Sequence, residues 1–320
     1  MATVSTVLSN ERAVAPVRRP RSARRRMLLL ADVAGLSPTL LLYGLFIVIP
    51  VLFAIFLSFT TWDVVGPLRW VGVANWSRFF SDPGAHHALL VTLELVGLSW
   101  LVETPLAMAL GLFIAGTQRY RSVYAAIYLL PLLLSTAGIA LMWQGVLSPE
   151  FGGLAWFSFH LKLSFLNQNW LGSPGITLYV LVVIIAWQFV PFHALIYQAG
   201  RRAIPREMYE AARVYGASLA QTFRYVTLPQ LRYTIVTSSM LIVVGSLTYF
   251  DIIFILTEGG PGDTTRVLSL YMYDTGFLQT EFGYASVLAV VLAVLGIAVA
   301  LLLIRLTGFG KMDSGREGIW

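Results

Sequence analysis

Six apolar stretches, near residues 36–59, 88–115, 123–146, 176–198, 233–257 and 284–304, are each long enough to cross a bilayer, since about 20 helical residues span roughly 30 Å of hydrocarbon. No other feature limits the fold so strongly. Hydrocarbon offers the backbone no partner, so each stretch must meet its own hydrogen bonds, which helices do. The expected fold is an all-α integral membrane protein with six transmembrane helices. Pro50, Pro105, Pro131 and Pro191 lie inside these stretches, where neighbouring groups can meet the backbone that proline frees. With 57% of the residues hydrophobic and only 12% charged, membrane is the solvent this composition suits.

The basic residues set the orientation. Of 22 Lys and Arg, 18 fall on the side of the termini and four, Arg69, Arg78, Lys162 and Arg266, on the other. The positive-inside rule then places both termini in the cytoplasm. The net charge of +6 thereby reports topology, and no nucleic-acid partner is expected. Residues 1–27 form an Arg-rich cytoplasmic tail, expected to be disordered and to touch anionic membrane lipid. They do not form a cleavable secretory signal, having no apolar core that leads to a cleavage site. A transmembrane domain is expected over 28–308, and 309–320 is expected to be a cytoplasmic C-terminal tail.

Catalytic chemistry is scarce. The absence of cysteine excludes disulfides, thiolate nucleophiles, iron–sulfur clusters and Cys-based zinc sites. His86, His87, His160 and His193 are not spaced three or four apart as a helical metal pair would be, so no metal site is expected. Glu94, Glu103 and Asp251 fall within the spans, where an ionised carboxylate costs about 2.5 to 3.5 kcal/mol or more. They suit either a proton relay or structural hydrogen bonding, and for Asp251 a structural or cavity-edge role is expected. No Ser–His or paired-Asp arrangement on adjacent spans supports an intramembrane enzyme.

The main polar interruption is EMYEAARVYGASLAQTFRYVTLPQ, residues 207–230, within a loop of about 203–230 that the charge count makes cytoplasmic. Pro205 can open a helix because its missing N–H would be unpaired there anyway. Met208, Ala211, Ala212 and Tyr215 recur at helical spacing against Arg206, Glu207, Glu210 and Arg213. Gly216 suits a left-handed C-terminal turn, and Ser218 with Gln221 has the spacing of a capping box. A second helix is expected to stop before Pro229. A helix–turn–helix of this kind either lies on the headgroups or docks a soluble partner.

Glu210-Ala211-Ala212, Gly216 after three residues, and Val226-Thr-Leu228-Pro229 after nine more resemble the EAA loop of binding-protein-dependent ABC importer permeases, with Val where Ile is common. Arg202-Ala-Ile-Pro205 and Tyr209 resemble the approach to that loop. The resemblance implies an ATPase-coupling set of Glu210, Ala211, Ala212, Gly216, Leu228 and Pro229. Glu210 would make a charged contact in the ATPase cleft, and Gly216 would form the turn. It further implies a second homologous permease subunit, two copies of a cytoplasmic ATPase, an extracytoplasmic solute-binding protein and a bacterial cell membrane. The chain itself would be no enzyme and would bind no cofactor. ATP and Mg would belong to the partner ATPase, in keeping with the lack of a phosphate-binding GxxxxGK[ST] loop here.

A second pattern, Phe250-Asp251, Leu256-Thr-Glu-Gly-Gly-Pro261, Thr265, Leu268, Tyr271, Tyr273, Phe277 and Gly283-Tyr-Ala285, is similar to the carbohydrate branch, in particular the larger membrane subunit of maltose transporters. Tyr128 to Pro131, Trp143, Trp170-Leu171 and Trp187 fit it too, so the likeness runs from about 36 to 305. The Arg-rich tail departs from it. By that analogy a sugar would meet Gln188, Phe189, Phe192, Leu247, Thr248 and Tyr249. Neutral polyhydroxylated solutes do call for aromatic faces and hydrogen-bonding groups. Packing is the other role open to aromatics at helical spacing. The implied function is ATP-driven import of a mono- or oligosaccharide by alternating access. A stand-alone proton-coupled carrier is the other class, though no repeated motif joins 36–146 to 176–305. Within the ABC class a glycerol 3-phosphate permease is the alternative, but the spans lack the cationic site it would want.

Overall fold

A computed structural model describes residues 35–116 and 119–307, so the tails expected at 1–27 and 309–320 lie outside the described residues. The chain divides into two units, residues 1–53 and 54–320. The first holds most of α1, Gly35–Leu57. A wide turn, Gly44–Val48, ends two residues ahead of Pro50, whose missing N–H would break the regular ladder.

The second unit holds the other described elements. Strands β1, Thr60–Thr61, and β2, Arg69–Trp70, pair antiparallel with Thr60 opposite Trp70. Helices follow at α2 Ala74–Ser81, α3 Pro83–Ile114, α4 Arg119–Tyr128, α5 Thr136–Leu147, α6 Gly153–Leu161 and α7 Thr177–Ala203. Then come α8 Arg206–Val214, α9 Leu219–Thr222, α10 Arg232–Leu247, α11 Asp251–Thr257, α12 Leu268–Tyr273 and α13 Phe282–Thr307.

Among the described residues four helices, α1, α3, α7 and α13, are long and apolar enough to cross a membrane, and α10 with α11 makes a fifth if that pair, bent by 49°, is one span. The stretch expected to be a single span at 123–146 is divided instead. It forms α4, a 3-10 turn at Leu130–Leu133, and α5. Pro131 has no N–H to continue the ladder, and Ser135 restarts the helix by accepting the Gly138 N–H at 3.1 Å. The span expected at 233–257 is likewise broken at residues 248–250, where the Thr248 hydroxyl donates to the Gly245 carbonyl at 2.8 Å.

α3 and α7 pack tightly against each other. A Cβ on Gly111 would lie 2.5 Å from the Ala194 carbonyl oxygen and 2.6 Å from the Tyr197 Cβ, so only glycine allows this approach. Close backbone contact through small residues is how helices associate where lipid removes the hydrophobic drive. Leu95, Ile139, Leu181, Ile185 and Ile253 form one buried cluster among α3, α5, α7 and α11. A second cluster joins Phe79, Ala85, Leu268, Tyr284 and Leu288.

Candidate functional site

The polar loop is built by local bonds. α8 begins after Pro205, which takes the N-cap position. At its far end Gly216 adopts φ +71°. Its N–H donates to the Arg213 carbonyl and the Ala217 N–H to the Ala212 carbonyl, both at 2.9 Å. That pair of bonds is a Schellman turn, and the left-handed residue it needs is cheapest as glycine. Ser218 then closes the capping box, its Oγ accepting the Gln221 N–H at 3.3 Å while Gln221 Oε1 accepts the Ser218 N–H at 2.8 Å. The Tyr209 and Thr227 hydroxyls lie 3.1 Å apart and tie the two arms together.

The helical path does not stop before Pro229, contrary to the sequence-based expectation. A wide turn, Phe223–Thr227, follows α9, and Leu228–Gln230 resumes helical geometry with Pro229 in its first turn. There the missing N–H costs no bond. The arrangement repeats that of α1, a wide turn ending two residues ahead of a proline.

The side chains of the loop are largely unburied. Glu210, Ala211, Gly216 and Pro229 are exposed, while Ala212 and Leu228 are half-buried. Of the apolar stripe, Met208 is half-buried but Tyr215 is 89% exposed, next to Val214 at 84% and Leu219 at 91%.

The six residues expected along a solute path fall into four places. Phe189 and Tyr249 stack, with ring centroids 5.5 Å apart and planes at 23°. Leu247 and Thr248 line an almost wholly apolar cavity of about 760 Å³ beside Met272, Phe277 and Gly296. Gln188 is buried and donates to Thr136 Oγ1 at 3.1 Å, and Phe192 is exposed. Gln188, Phe189, Phe192 and Tyr249 do not line that cavity.

The intramembrane carboxylates also separate. Glu94 and Asp251 are exposed, and Asp251 opens α11. Glu103 is 0% exposed, has no hydrogen-bond partner on either oxygen among the described residues, and lies 4.0 Å from His193 Nε2. His193 in turn meets the Ser238 hydroxyl at 3.1 Å. Nothing in the local sequence around either residue signals that meeting of α3, α7 and α10.

A polar hub that sequence reasoning missed joins α3, α12 and α13. Asp82 Oδ1 caps α3 by accepting the N–H groups of Gly84 at 2.9 Å and Ala85 at 3.3 Å. Its Oδ2 accepts the hydroxyls of Tyr271 at 2.8 Å and Tyr284 at 2.6 Å. Burial alone would raise the Asp82 carboxyl, but the hydrogen bonds from Tyr284, Tyr271, Ala85 and Gly84 outweigh it and hold the group below its ordinary value. Burial, then the bond to Asp82, pushes Tyr271 up to about 12. The Gly-Gly-Pro turn lies nearby. Gly259 takes φ +87°, and Thr265 locks the turn through Oγ1 to the Gly260 carbonyl at 2.7 Å.

Residues 105–307 match the family of binding-protein-dependent transport system inner membrane components. The chain belongs to that family. It is 35% identical over 83% of its length to a probable ABC transporter permease protein of Pyrococcus horikoshii, of which the match covers 91%. To the trehalose/maltose transport system permease protein MalF of Thermococcus litoralis it is 30% identical, over 86% of this chain and 92% of that one. The diacetylchitobiose uptake system permease protein NgcF of Streptomyces coelicolor is 30% identical over 98% of this chain and 95% of its own length. Among solved structures, a chain of a bacterial ABC transporter involved in the import of the acidic polysaccharide alginate superposes with a TM-score of 0.77 at 24% identity, covering 92% of this chain and 99% of that one. It shares the fold. Membership in this permease family also accounts for the long apolar helices, as an inner membrane component requires.

Proposed function

We propose that this permease is the membrane subunit of an ATP-driven importer that receives a mono- or oligosaccharide from an external solute-binding protein. In this reading it pairs with a second homologous permease and two copies of a cytoplasmic ATPase, spans the bacterial membrane six times and keeps both termini in the cytoplasm. α4 and α5 together would supply the remaining crossing.

The observation that carries the coupling role is the tip of the polar loop. Val214, Tyr215 and Leu219 are 84 to 91% exposed, yet the backbone that presents them is fixed by the Schellman turn and the capping box. Large apolar side chains displayed on an ordered turn fit a partner that covers them. Glu210 would add the charged contact, Ala211 and Ala212 the close approach, and Leu228 and Pro229 the return to the membrane. ATP binding in the partner would draw two such loops together and switch the solute path from inward to outward.

The sugar class draws support from the names of MalF and NgcF and from the stacked Phe189 and Tyr249. The break at 248–250 between α10 and α11 suits a solute path, since irregular backbone at membrane depth belongs where it borders a cavity. The test is uptake of labelled mono- and oligosaccharides into proteoliposomes holding the whole transporter. Uptake should require enclosed ATP and external binding protein. Uptake driven by a pH gradient without ATP would overturn the importer reading, and ATP-driven uptake confined to solutes other than sugars would overturn the sugar assignment.

A further inference from the structure

A second cavity, of about 740 Å³, opens where α3 and α7 end and α8 begins. Arg121, Arg201, Arg202, Arg206 and Arg213 line it, with Glu210 as the single carboxylate among the described residues. None of the five arginines forms an ion pair with a carboxylate among the described residues. Two are held in place by other means. Arg121 donates to the Phe113 carbonyl at 2.5 Å and lies 4.9 Å over the Phe113 ring. Arg201 lies 3.7 Å over the Tyr209 ring. Ile204 is buried and Leu112 half-buried on the same wall.

Two ordinary explanations exist for arginine here, and magnitudes weigh against both being sufficient. The positive-inside rule asks for basic residues on this side, but it is met equally by arginines spread over the surface. The C-termini of α3 and α7 each present about half a negative charge, and Arg121 and Arg201 together exceed what both can neutralise. Allowing for Glu210, roughly three positive charges stay gathered in one concavity without a counter-charge. Gathered like charges repel, so the cavity is poised to take an anion.

We propose that this cavity binds the phosphate of an anionic phospholipid headgroup and so ties the base of the coupling loop to the membrane surface. Three things point to a lipid. The cavity adjoins the ends of two helices long and apolar enough to cross a membrane, and headgroup phosphates would lie at the ends of such spans. Its volume is that of a small-molecule site. Its wall combines guanidinium groups, which match phosphate in a bidentate way, with apolar side chains facing the same space. The proposal rests on the permease reading only for which leaflet supplies the lipid. Lipid binding requires neither sugar nor ATP turnover, so the two can fail separately.

The experiment is native mass spectrometry of the assembled transporter in mild detergent, titrated with phosphatidylglycerol or phosphatidylcholine. Phosphatidylglycerol should bind more tightly by about tenfold or more. The triple variant Arg202→Ala, Arg206→Ala, Arg213→Ala should weaken phosphatidylglycerol by about a hundredfold and leave phosphatidylcholine unchanged. Arg232→Ala with Arg305→Ala, outside the cavity, should change neither. If the triple variant fails to assemble, the double variant Arg202→Gln, Arg213→Gln alters two exposed side chains and decides the matter. Equal binding of the two lipids, or full retention of phosphatidylglycerol by the variant that assembles, would overturn the proposal. Displacement of the lipid by millimolar inorganic phosphate would assign the cavity to free phosphate. Absence of arginine-dependent lipid in the assembled transporter, with binding regained when the ATPase is stripped away, would assign it to the ATPase contact.

Discussion

The polar loop and the Asp82 hub are held together in opposite ways. In the loop, apart from the Tyr209–Thr227 hydroxyl contact, the stabilising bonds run between backbone groups and side chains a few residues apart, and the side chains at its tip are largely exposed. At the hub one carboxylate receives two backbone N–H groups of its own helix and two tyrosine hydroxyls from α12 and α13. Local bonds fix a shape without spending the surface, which leaves the loop free to be gripped by another protein. Long-range bonds spend the side chain to lock elements of the chain to one another. On the proposed coupling reading, the difference separates a part shaped for transmission from a part shaped for anchorage.

The hub should prove the more costly to break. Asp82→Ala removes the α3 cap, worth about 1 kcal/mol, and leaves the hydroxyl of Tyr284, 2% exposed, without its acceptor, at about 1 to 3 kcal/mol. A melting midpoint well below wild type is expected from the purified protein in detergent. The pH dependence sharpens this. Because the native state holds the Asp82 carboxyl below its ordinary value, its contribution is present above about pH 4 and is lost as pH falls through the native value. Wild type and Asp82→Ala should therefore differ at neutral pH and converge in acid. A constant gap down to pH 3 would mean that the carboxylate charge contributes nothing to the anchorage.

In the loop the corresponding change is smaller and confined. Ser218→Ala deletes one cap bond, about 1 kcal/mol, so amide exchange over 219–222 should quicken about fivefold while the melting midpoint stays put. A fall in the midpoint like that of Asp82→Ala would erase the distinction between the two regions.

The same contrast explains what could be read from the chain alone. Pro205, Gly216, Ser218 and Gln221 each act within about four residues, and the helix, turn and second helix follow directly from them. Pro229 misled because the wide turn at 223–227 shifts the ladder before the proline arrives. The break of the span at 248–250 was not legible either. Asp251 and Thr248 carry no local stop signal as strong as a proline, and the bend comes with packing of α11 against α5 in the interior. Asp82 meets partners 189 and 202 residues away, and Glu103 meets His193 across α3 and α7. No periodicity or spacing encodes such meetings. The candidate path residues show the same limit, since helical spacing placed Gln188, Phe189 and Phe192 on one helix but could not tell which of them stacks, bonds or faces outward.

We propose that the loop at 206–230 transmits force from a separate ATPase. This role is tested most directly by the ratio of solute transported to ATP hydrolysed in proteoliposomes carrying Gly216→Val or Glu210→Ala. A β-branched residue at φ +71° costs about 1 to 2 kcal/mol or more in backbone strain and should deform the exposed turn alone. Normal membrane insertion and assembly, continued ATP hydrolysis, and a transport-to-hydrolysis ratio lowered at least tenfold for Gly216→Val, on the scale of that strain, are expected. Both variants assembling normally and transporting at the wild-type ratio would contradict that role.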